Sequence, residues 1–439
     1  MRTLIVSDLH LGSAGGVDVL RRPQLREPLL ALAREADRLV LLGDILELRH
    51  GPPREALAAA RPFFEDLGRA LAGREVVAVA GNHDHALIEP WLQRRSEVPE
   101  PGPLGVEQRI EAGAASPMAG RLAEWAAPAR LTVAYPGLWV RPDVYATHGH
   151  YLDCHLTVPT MERLGIAAMG RMLRRPAGAF TGPEGYEAVS GPVFAWIDAV
   201  ARQAATGGAL NGATTVRAWH ALGGGDSVAA AHGEPGNGPS RGGHGETGGG
   251  PSRNVQSGGG PFRNAQSGGG PSRDGYRRAW SRDRVGRALR ARALSGAFTL
   301  AVGALNRAGL GPLNSDLSVG ELRRAGLRAM GEVAERLGLA ATGGSGGADG
   351  AGPRYVVFGH THRAGPLPGD VEREWAGPGG VRLVNTGCWT YDAYFLTPAR
   401  GQSPYWPGCC VVVEDDGPPV VRRLLETREH SELAPSSAR

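Results

Sequence analysis

Four consecutive residues, Gly81-Asn82-His83-Asp84, follow the apolar run 76–79 directly, where a buried strand is expected to end. Loops in that position often carry chemistry. The Asn82 side chain offers a neutral carbonyl oxygen to a divalent cation, and the His83 imidazole can exchange a proton near neutral pH. Because turns are rich in glycine, asparagine and aspartate, a plain strand-to-turn junction explains the four residues equally well.

Four other apolar runs end in residues of the same kind. These runs are 4–6, 39–42, 144–146 and 355–358. They are followed by Asp8 and His10, by Asp44 and Glu47, by His148 and His150, and by His360 and His362. Open α/β sheets gather their sites at the carboxyl ends of strands, and oxygen and imidazole ligands without thiolate suit manganese, iron or zinc. The five strand ends therefore predict a metal site.

The order of these motifs resembles the calcineurin-like metallophosphoesterases, over about residues 1–150 and 354–425. The resemblance implies an α/β fold, a four-layer α/β/β/α sandwich, and two divalent metal ions (Mn, Fe or Zn). Apolar positions at helical spacing predict four further helices at about 158–174, 187–205, 282–308 and 317–339, which would form an inserted cap. By motif, one metal would be held by Asp8, His10, Asp44 and His362, and the other by Asp44, Asn82, His148 and His360. The shared Asp44 would bridge the two metals.

The resemblance also implies a hydrolase of phosphate esters. In such a site a metal-bridging hydroxide is the nucleophile, and the two metals bind the phosphoryl oxygens during in-line displacement. His83 matches the family's non-ligand histidine, which resembles a general acid toward the leaving oxygen. We expect Glu47 to orient His83, where the family often has aspartate, with Asp84 as the alternative.

Several residues near these motifs have open roles. His150, Asp153 and His155 could touch the substrate or orient a metal-binding imidazole, and structural roles are equally consistent with the sequence. Arg363 could bind a phosphate through two parallel hydrogen bonds. However, the sequence contains no lysine, so all 48 basic residues are arginines and a single arginine is weak support. His85 has no supporting pattern and is expected to be solvated.

The motifs around residues 7–12 and 359–363 look most like the branch that contains UDP-diacylglucosamine pyrophosphatases, which act on lipid-linked nucleotides under a helical cap. We therefore expect a phosphodiester or pyrophosphate bond in a small-molecule or lipid-linked substrate. The alternatives are a phosphomonoesterase, a catalytically weak metal-binding scaffold and a nuclease. Retention of His83 argues against a scaffold. The few aromatic residues and the scattered charge argue against a nuclease, so no specific nucleic acid is expected.

The 439 residues predict one interrupted core. The expected segments are core (1–150), cap helices (151–205), a disordered Gly-rich insert (206–281), cap helices (282–340), a linker (341–353), core (354–427) and a flexible tail (428–439). The insert contains a ten-residue repeat at 248–257 and 258–267, and its composition cannot bury enough apolar surface to offset the entropy of ordering. A hairpin of 409–414 and 420–425 is expected to complete the second sheet.

The four cysteines include no Cys-x-x-Cys motif, which favours buried thiols in a reducing compartment. Because Met1 leads straight into the first strand, we expect a cytoplasmic protein. No stretch is long and apolar enough to predict a transmembrane helix. The sequence does not indicate the oligomeric state.

Overall fold

The structure is a computed structural model that describes residues 1–156, 182–205, 319–339 and 352–435. The predicted Gly-rich insert and the predicted helices at about 158–174 and 282–308 lie outside the described residues, as do almost all of the linker and the last residues of the tail. The expected division of the chain into segments stays a prediction.

Ten strands are present in the described residues. They are β1 (Thr3–Val6), β2 (Arg38–Leu42), β3 (Glu75–Val79), β4 (Glu107–Glu111), β5 (Arg130–Arg141), β6 (Val144–Thr147), β7 (Tyr355–Phe358), β8 (Arg382–Asn385), β9 (Cys409–Val413) and β10 (Val420–Arg423). Their order is β10-β9-β1-β2-β3-β5-β6-β7-β8, with β4 also paired to β5. Strands β1, β2 and β3 are parallel, and so are β6, β7 and β8.

Strand β5 connects two layers of sheet. Its first half pairs with β3 in parallel, and its second half forms the predicted antiparallel hairpin with β6. Apolar side chains from both layers then meet in one buried cluster, which includes Ile5, Val40 and Val77 from the first layer and Ala146 and Val357 from the second. The two layers therefore pack face to face, as the sequence predicted for a sandwich.

Helices cover the outer face of each layer. The main described helices are α1 (Pro23–Arg34), α2 (Pro53–Ala70), α3 (Glu89–Ser96), α4 (Ala112–Ala115), α5 (Pro117–Ala126), α6 (Gly182–Ala205), α7 (Val319–Arg336) and α8 (His430–Leu433). Leu29 of α1, Phe63 of α2 and Leu122 of α5 belong to the core outside the first layer. Val189 of α6 and Met330 of α7 belong to a second core, against the other layer. The four-layer α/β/β/α fold is thus confirmed.

One detail of the predicted topology is wrong. Strands β9 and β10 do form a hairpin, but β9 pairs antiparallel with β1, so the hairpin extends the first layer rather than the second. The second layer ends at β8, which pairs with β7. A local apolar pattern specifies a strand, whereas the partner of that strand depends on tertiary contacts that the pattern does not contain.

All four cysteines are buried free thiols, as predicted. Among the described helices, none combines the length and the apolar composition needed to cross a bilayer.

Candidate metal centre

The seven predicted metal ligands converge at the carboxyl ends of five strands. Asp8, Asp44 and Asn82 follow β1, β2 and β3 of the first layer, while His148 and His360 follow β6 and β7 of the second. The remaining two, His10 and His362, follow in the same loops as Asp8 and His360. Parallel strands bring their carboxyl ends to a common edge, so groups distant in sequence meet there.

A first group of donors surrounds the side chain of His10. Its Nε2 atom lies 3.1 Å from Nε2 of His362 and 3.7 Å from Oδ2 of Asp44. Oδ1 of Asp8 lies 3.3 Å from Nε2 of His362. This carboxylate oxygen is buried and accepts no hydrogen bond from the described residues. Two imidazole nitrogens and an unpartnered carboxylate oxygen that face one another are a donor set that fits a divalent cation.

A second group of donors shares Asp44 with the first. The same atom, Oδ2 of Asp44, lies 3.3 Å from Nε2 of His148. Oδ1 of Asn82 lies 3.2 Å from Nε2 of His148 and 3.1 Å from Nδ1 of His360. Donor atoms of Asp44, His148 and His360 all lie within 4.8 Å of one another. Asp44 therefore stands between the two groups, as a bridging ligand would.

The outer nitrogens of two imidazoles are hydrogen-bonded to acceptors, and the outer nitrogen of a third lies near a carboxylate. Nδ1 of His10 lies 3.0 Å from Oε2 of Glu47, and Nδ1 of His148 lies 2.9 Å from the carbonyl oxygen of Leu42. Nε2 of His360 lies 3.1 Å from Oδ2 of Asp153. Because a carbonyl or carboxylate can only accept, the outer nitrogens of His10 and His148 carry a proton, so the inner nitrogen of each ring in its neutral form has a lone pair directed into the site.

The backbone at these ligands is in a conformation that side chains normally avoid. In the described part of the chain, five non-glycine residues have positive φ, between 45° and 66°. All five are predicted ligands, namely Asp8, His10, Asp44, His360 and His362. A left-handed conformation costs roughly 1–2 kcal/mol for a residue with a Cβ atom, and such strain concentrates at functional sites. This conformation of the loops positions the side chains of the predicted ligands, although it lowers the local stability of the backbone.

Glu47 holds two histidines with one oxygen. Its Oε2 atom accepts from Nδ1 of His83 at 2.8 Å and from Nδ1 of His10 at 3.0 Å, and its Oε1 accepts from the backbone N–H of Arg49 at 2.9 Å. The structure thus places Glu47, rather than Asp84, against His83. A ring nitrogen of His83 also lies within 4.8 Å of donor atoms of His10 and Asp44, so His83 borders the first group.

Asp84 binds the backbone of the neighbouring loops instead of His83. Its Oδ1 accepts from the N–H of Gly81 at 2.7 Å, and its Oδ2 accepts from the N–H groups of Ile45 and Leu46 at 2.7 and 3.2 Å. Burial, together with the nearby Asp44 carboxylate, raises the pKa of Asp84 to about 6. The Asp84 carboxyl group therefore ties the loop after β3 to the loop after β2.

The buried charges of the site stabilise one another. Burial opposes ionisation of Asp44, but His148, His83 and His10 outweigh it and hold the pKa of Asp44 well below its usual range. Burial likewise opposes the charged form of His148, yet Asp44 and Asp8 raise its pKa to about 9. For His362, the Asp8 carboxylate outweighs burial and raises the pKa well above its ordinary value. The buried carboxylates that favour positive imidazoles would equally favour a bound cation, which would take the place of the inner ring protons.

The electrostatics of His83 differ from those of the ligands. Burial, and the nearby Arg49 guanidinium, lower the pKa of His83 to about 4, although Glu47 and Asp44 act in the opposite direction. His83 is therefore neutral in the free protein near pH 7. Because Nδ1 donates its proton to Glu47, Nε2 is the ring nitrogen that remains to accept a proton.

Two residues that are predicted to contact the substrate make contacts within the protein instead. The Arg363 guanidinium is buried, pairs with both carboxylate oxygens of Asp370 and lies 5.2 Å from the Trp375 ring centroid. His150 is buried between aromatic rings, including that of Tyr135, and its ring nitrogens have no hydrogen-bond partner among the described residues. This arrangement gives neither side chain an open route to a phosphate. The predicted substrate contacts at Arg363 and His150 stay without structural support.

The expectation for His85 is wrong, because its side chain is buried and its Nε2 lies 3.2 Å from Oε2 of Glu187. Sequence reasoning also missed Glu187 itself, which accepts from Tyr135 and Tyr151. No motif marks Glu187, since it lies on α6 outside the strand-end loops. Glu187 reaches the strand-end loops only through the tertiary packing of α6.

Buried aspartate and histidine clusters at the strand ends of a four-layer sandwich define a metal-dependent hydrolase. Residues 1–167 match the family model of the calcineurin-like phosphoesterases. No curated protein matches the sequence. The family and the donor clusters together identify a metal-dependent phosphoester hydrolase that binds divalent metal ions.

Proposed function

We propose that this enzyme hydrolyses a phosphodiester or pyrophosphate bond with two divalent metal ions, manganese, iron or zinc, in the strand-end site. The observation that supports two ions is the position of Asp44, whose Oδ2 lies 3.7 Å from Nε2 of His10 and 3.3 Å from Nε2 of His148. One oxygen thus faces a complete donor group on either side. When bound, two such ions would activate water and neutralise the phosphoryl oxygens.

The protein's own residues would then divide into holding and proton-transfer roles. Asp8, His10, Asp44 and His362 would hold one ion, and Asp44, Asn82, His148 and His360 the other. Because the outer nitrogens of His10 and His148 already donate to acceptors, the inner nitrogens of these imidazoles are the ones available to an ion.

His83 would protonate the leaving oxygen. Its pKa of about 4 in the free protein is too low for this role near pH 7. The negative charge of a bound phosphate ester would favour the protonated ring, as the Glu47 carboxylate already does.

The substrate class rests on the motif resemblance to enzymes of lipid-linked nucleotides, so a small-molecule or lipid-linked ester is proposed rather than a nucleic acid. A phosphomonoester is the competing substrate, because the same metal pair can serve both reactions. The experiment below therefore compares a diester with a monoester.

The test is hydrolysis of bis-p-nitrophenyl phosphate and p-nitrophenyl phosphate with added Mn²⁺. We expect metal-dependent turnover of the diester, loss of that turnover in Asp44→Asn, and unchanged turnover in the control Asp416→Asn, which alters an exposed aspartate of the β9–β10 turn. Preferred turnover of the monoester would replace the proposed substrate class. Full activity in Asp44→Asn would contradict the proposed site.

The role of His83 needs a substrate with a poorer leaving group. General-acid catalysis contributes about 10²–10⁴-fold, and it matters most when the leaving oxygen is basic. His83→Asn should therefore lower kcat for a dialkyl phosphodiester, whose leaving group is an alkoxide, by a much larger factor than kcat for bis-p-nitrophenyl phosphate, which releases p-nitrophenolate. Equal losses for both leaving groups would contradict proton donation by His83.

A further inference from the structure

A single carboxylate on α6 binds three side chains of the core. Oε1 of Glu187 accepts from the hydroxyls of Tyr135 and Tyr151, the latter at 2.6 Å, and Oε2 lies 3.2 Å from Nε2 of His85. All three partners are at most 3% exposed. A largely buried carboxylate with its lone pairs occupied in this way fixes the groups that donate to it.

Two of these partners belong to loops that carry proposed metal ligands. His85 begins the short 3-10 helix His85–Leu87, in the loop that contains Asn82. Tyr151 lies in the 3-10 helix His150–Cys154, immediately after the loop that contains His148. Asn82 and His148 both belong to the second donor group, where their side chains are 3.2 Å apart. Glu187 therefore connects the two loops through His85 and Tyr151.

The pKa shifts of Glu187 and its tyrosine partners agree with a fixed hydrogen-bonding arrangement. Burial opposes ionisation of Glu187, but hydrogen bonds from His85, Tyr135 and Tyr151 outweigh it and lower the pKa of the carboxyl group. Burial and the Glu187 carboxylate raise the pKa of both tyrosines well above the ordinary value, so both hydroxyls remain donors. Glu187 is thus an anion surrounded by donors, and it has no spare proton to exchange.

Aromatic contacts hold α6 in register with the same loops. The Tyr186 ring stacks on the Tyr151 ring, with centroids 4.5 Å apart and planes inclined by 8°. The Phe194 ring, two helical turns after Glu187, lies 5.4 Å from the ring of His85 and 5.4 Å from that of His150. Helical periodicity places Glu187 and Phe194 on one face, so this face of α6 packs on both loops.

We propose that Glu187 is a positioning residue for the second metal site, acting through His85 and Tyr151 on the loops that carry Asn82 and His148. This inference rests on the proposed function, because it assumes that the second donor group binds an ion. Glu187 lies beyond residues 1–167, which match the family model, so an element outside that segment supports the site.

The test compares Mn²⁺ binding to the full chain with binding to Glu187→Ala, Glu187→Gln and Tyr151→Phe, measured by calorimetry and by electron paramagnetic resonance. Loss of an outer-shell partner typically weakens metal affinity about 10–100-fold. In Glu187→Ala we expect this loss at one of two sites, and the spectrum of a coupled manganese pair should give way to that of a single ion. The losses should be smaller in Glu187→Gln and Tyr151→Phe, which each keep part of the hydrogen bonding.

The matched control is Glu184→Gln, which changes an exposed glutamate one turn earlier on α6 that contacts Leu104 and Arg95 instead. It should bind both ions as the unsubstituted chain does. Equal binding of two ions by all variants, or an equal loss at both sites with a matching drop in Tm, would overturn the inference. Fewer than two ions bound by the unsubstituted chain would overturn the two-metal proposal as well.

Discussion

At the residue scale, the single side chain of Glu47 contacts both a proposed metal ligand and the proposed proton donor. Its Oε2 atom accepts from a proposed metal ligand, His10, and from the proposed proton donor, His83. Burial would raise the pKa of Glu47, but His83 and His10 outweigh burial and hold the pKa well below its usual range. The carboxylate is therefore charged throughout the neutral range, and both imidazoles keep their Nδ1 protons directed at it.

Replacing Glu47 should therefore affect metal binding and proton transfer together. Glu47→Gln offers one neutral oxygen in place of a charged one, and Glu47→Asp is one methylene too short to reach both rings. We expect both variants to lose about 10–100-fold in kcat/KM and to bind Mn²⁺ more weakly, as is typical for outer-shell partners. The measurement is kcat/KM for the diester with a parallel Mn²⁺ titration.

Glu124→Gln on α5 is a suitable control, because Glu124 is 72% exposed and pairs only at the surface with Arg121 among the described residues. It should behave as the unsubstituted enzyme. If Glu47→Gln did the same, the two hydrogen bonds would have no functional role.

Residues that follow strands could be placed from the sequence, whereas their outer partners could not. The structure brings Asp8, Asp44, Asn82 and His148 together, because each lies in the loop after an apolar strand and parallel strands end at one edge. Their roles as metal ligands stay predictions. Glu187 was not predicted, because its partners lie on three other elements and no local spacing connects them. The outer partners of a site depend on packing, which a single sequence does not display.

At the element scale, the strand-end loops approach one another so closely that glycine is required. A Cβ atom on Gly81 would collide with the Asp44 side chain, and one on Gly359 would collide with the side chains of Ser7 and Asp8. Each of these glycines thus leaves room for a carboxylate of the neighbouring loop. This is a physical reason for the glycine that stands at the start of these two motifs.

Gly81→Ala should consequently displace Asp44 from its position between the two donor groups. We expect loss of Mn²⁺ binding and a fall in kcat/KM of more than about 100-fold, because a ligand moved by about 1 Å no longer fits. Stability should fall by about 1–3 kcal/mol, as is usual for overpacking. Calorimetric Mn²⁺ titration and kcat/KM measure the first two effects, and denaturant unfolding measures the third.

The control is Gly113→Ala in α4, where a Cβ atom would meet no atom within 4 Å and where alanine favours the helix. Its activity and metal binding should be unchanged. Normal metal binding by Gly81→Ala would show that the loop after β3 can retreat without moving Asp44.

Among the elements, the clearest error of the sequence prediction is the layer to which the β9–β10 hairpin belongs. The hairpin of β9 and β10 was located correctly from its two apolar runs and its turn, yet it was assigned to the second layer. Its actual partner is β1, whose Thr3–Ile5 segment pairs with Val411–Val413. Nothing local to the hairpin distinguishes the two free sheet edges, so only the complete packing could decide.

At the scale of the whole molecule, the candidate site lies where the two layers of sheet meet. The first layer contributes Asp8, Asp44 and Asn82, and the second contributes His148 and His360. Without cations, the site combines buried carboxylates with backbone conformations of positive φ. Ions bound to both layers would compensate the buried charges and link the layers, so metal binding should contribute to folding stability as well as to catalysis.

Metal removal should therefore destabilise the entire fold. A ligand that binds only the folded state at 100 times its Kd adds about 2.7 kcal/mol of stability per site, which corresponds to a rise in Tm of several degrees. Thermal unfolding of the chelated protein should thus begin several degrees below that of the Mn²⁺-loaded protein. Asp44→Asn is the decisive variant, because it removes a ligand of both groups and should make Tm insensitive to Mn²⁺. If chelation left the Tm of the unsubstituted enzyme unchanged, the ions would bind without linking the layers.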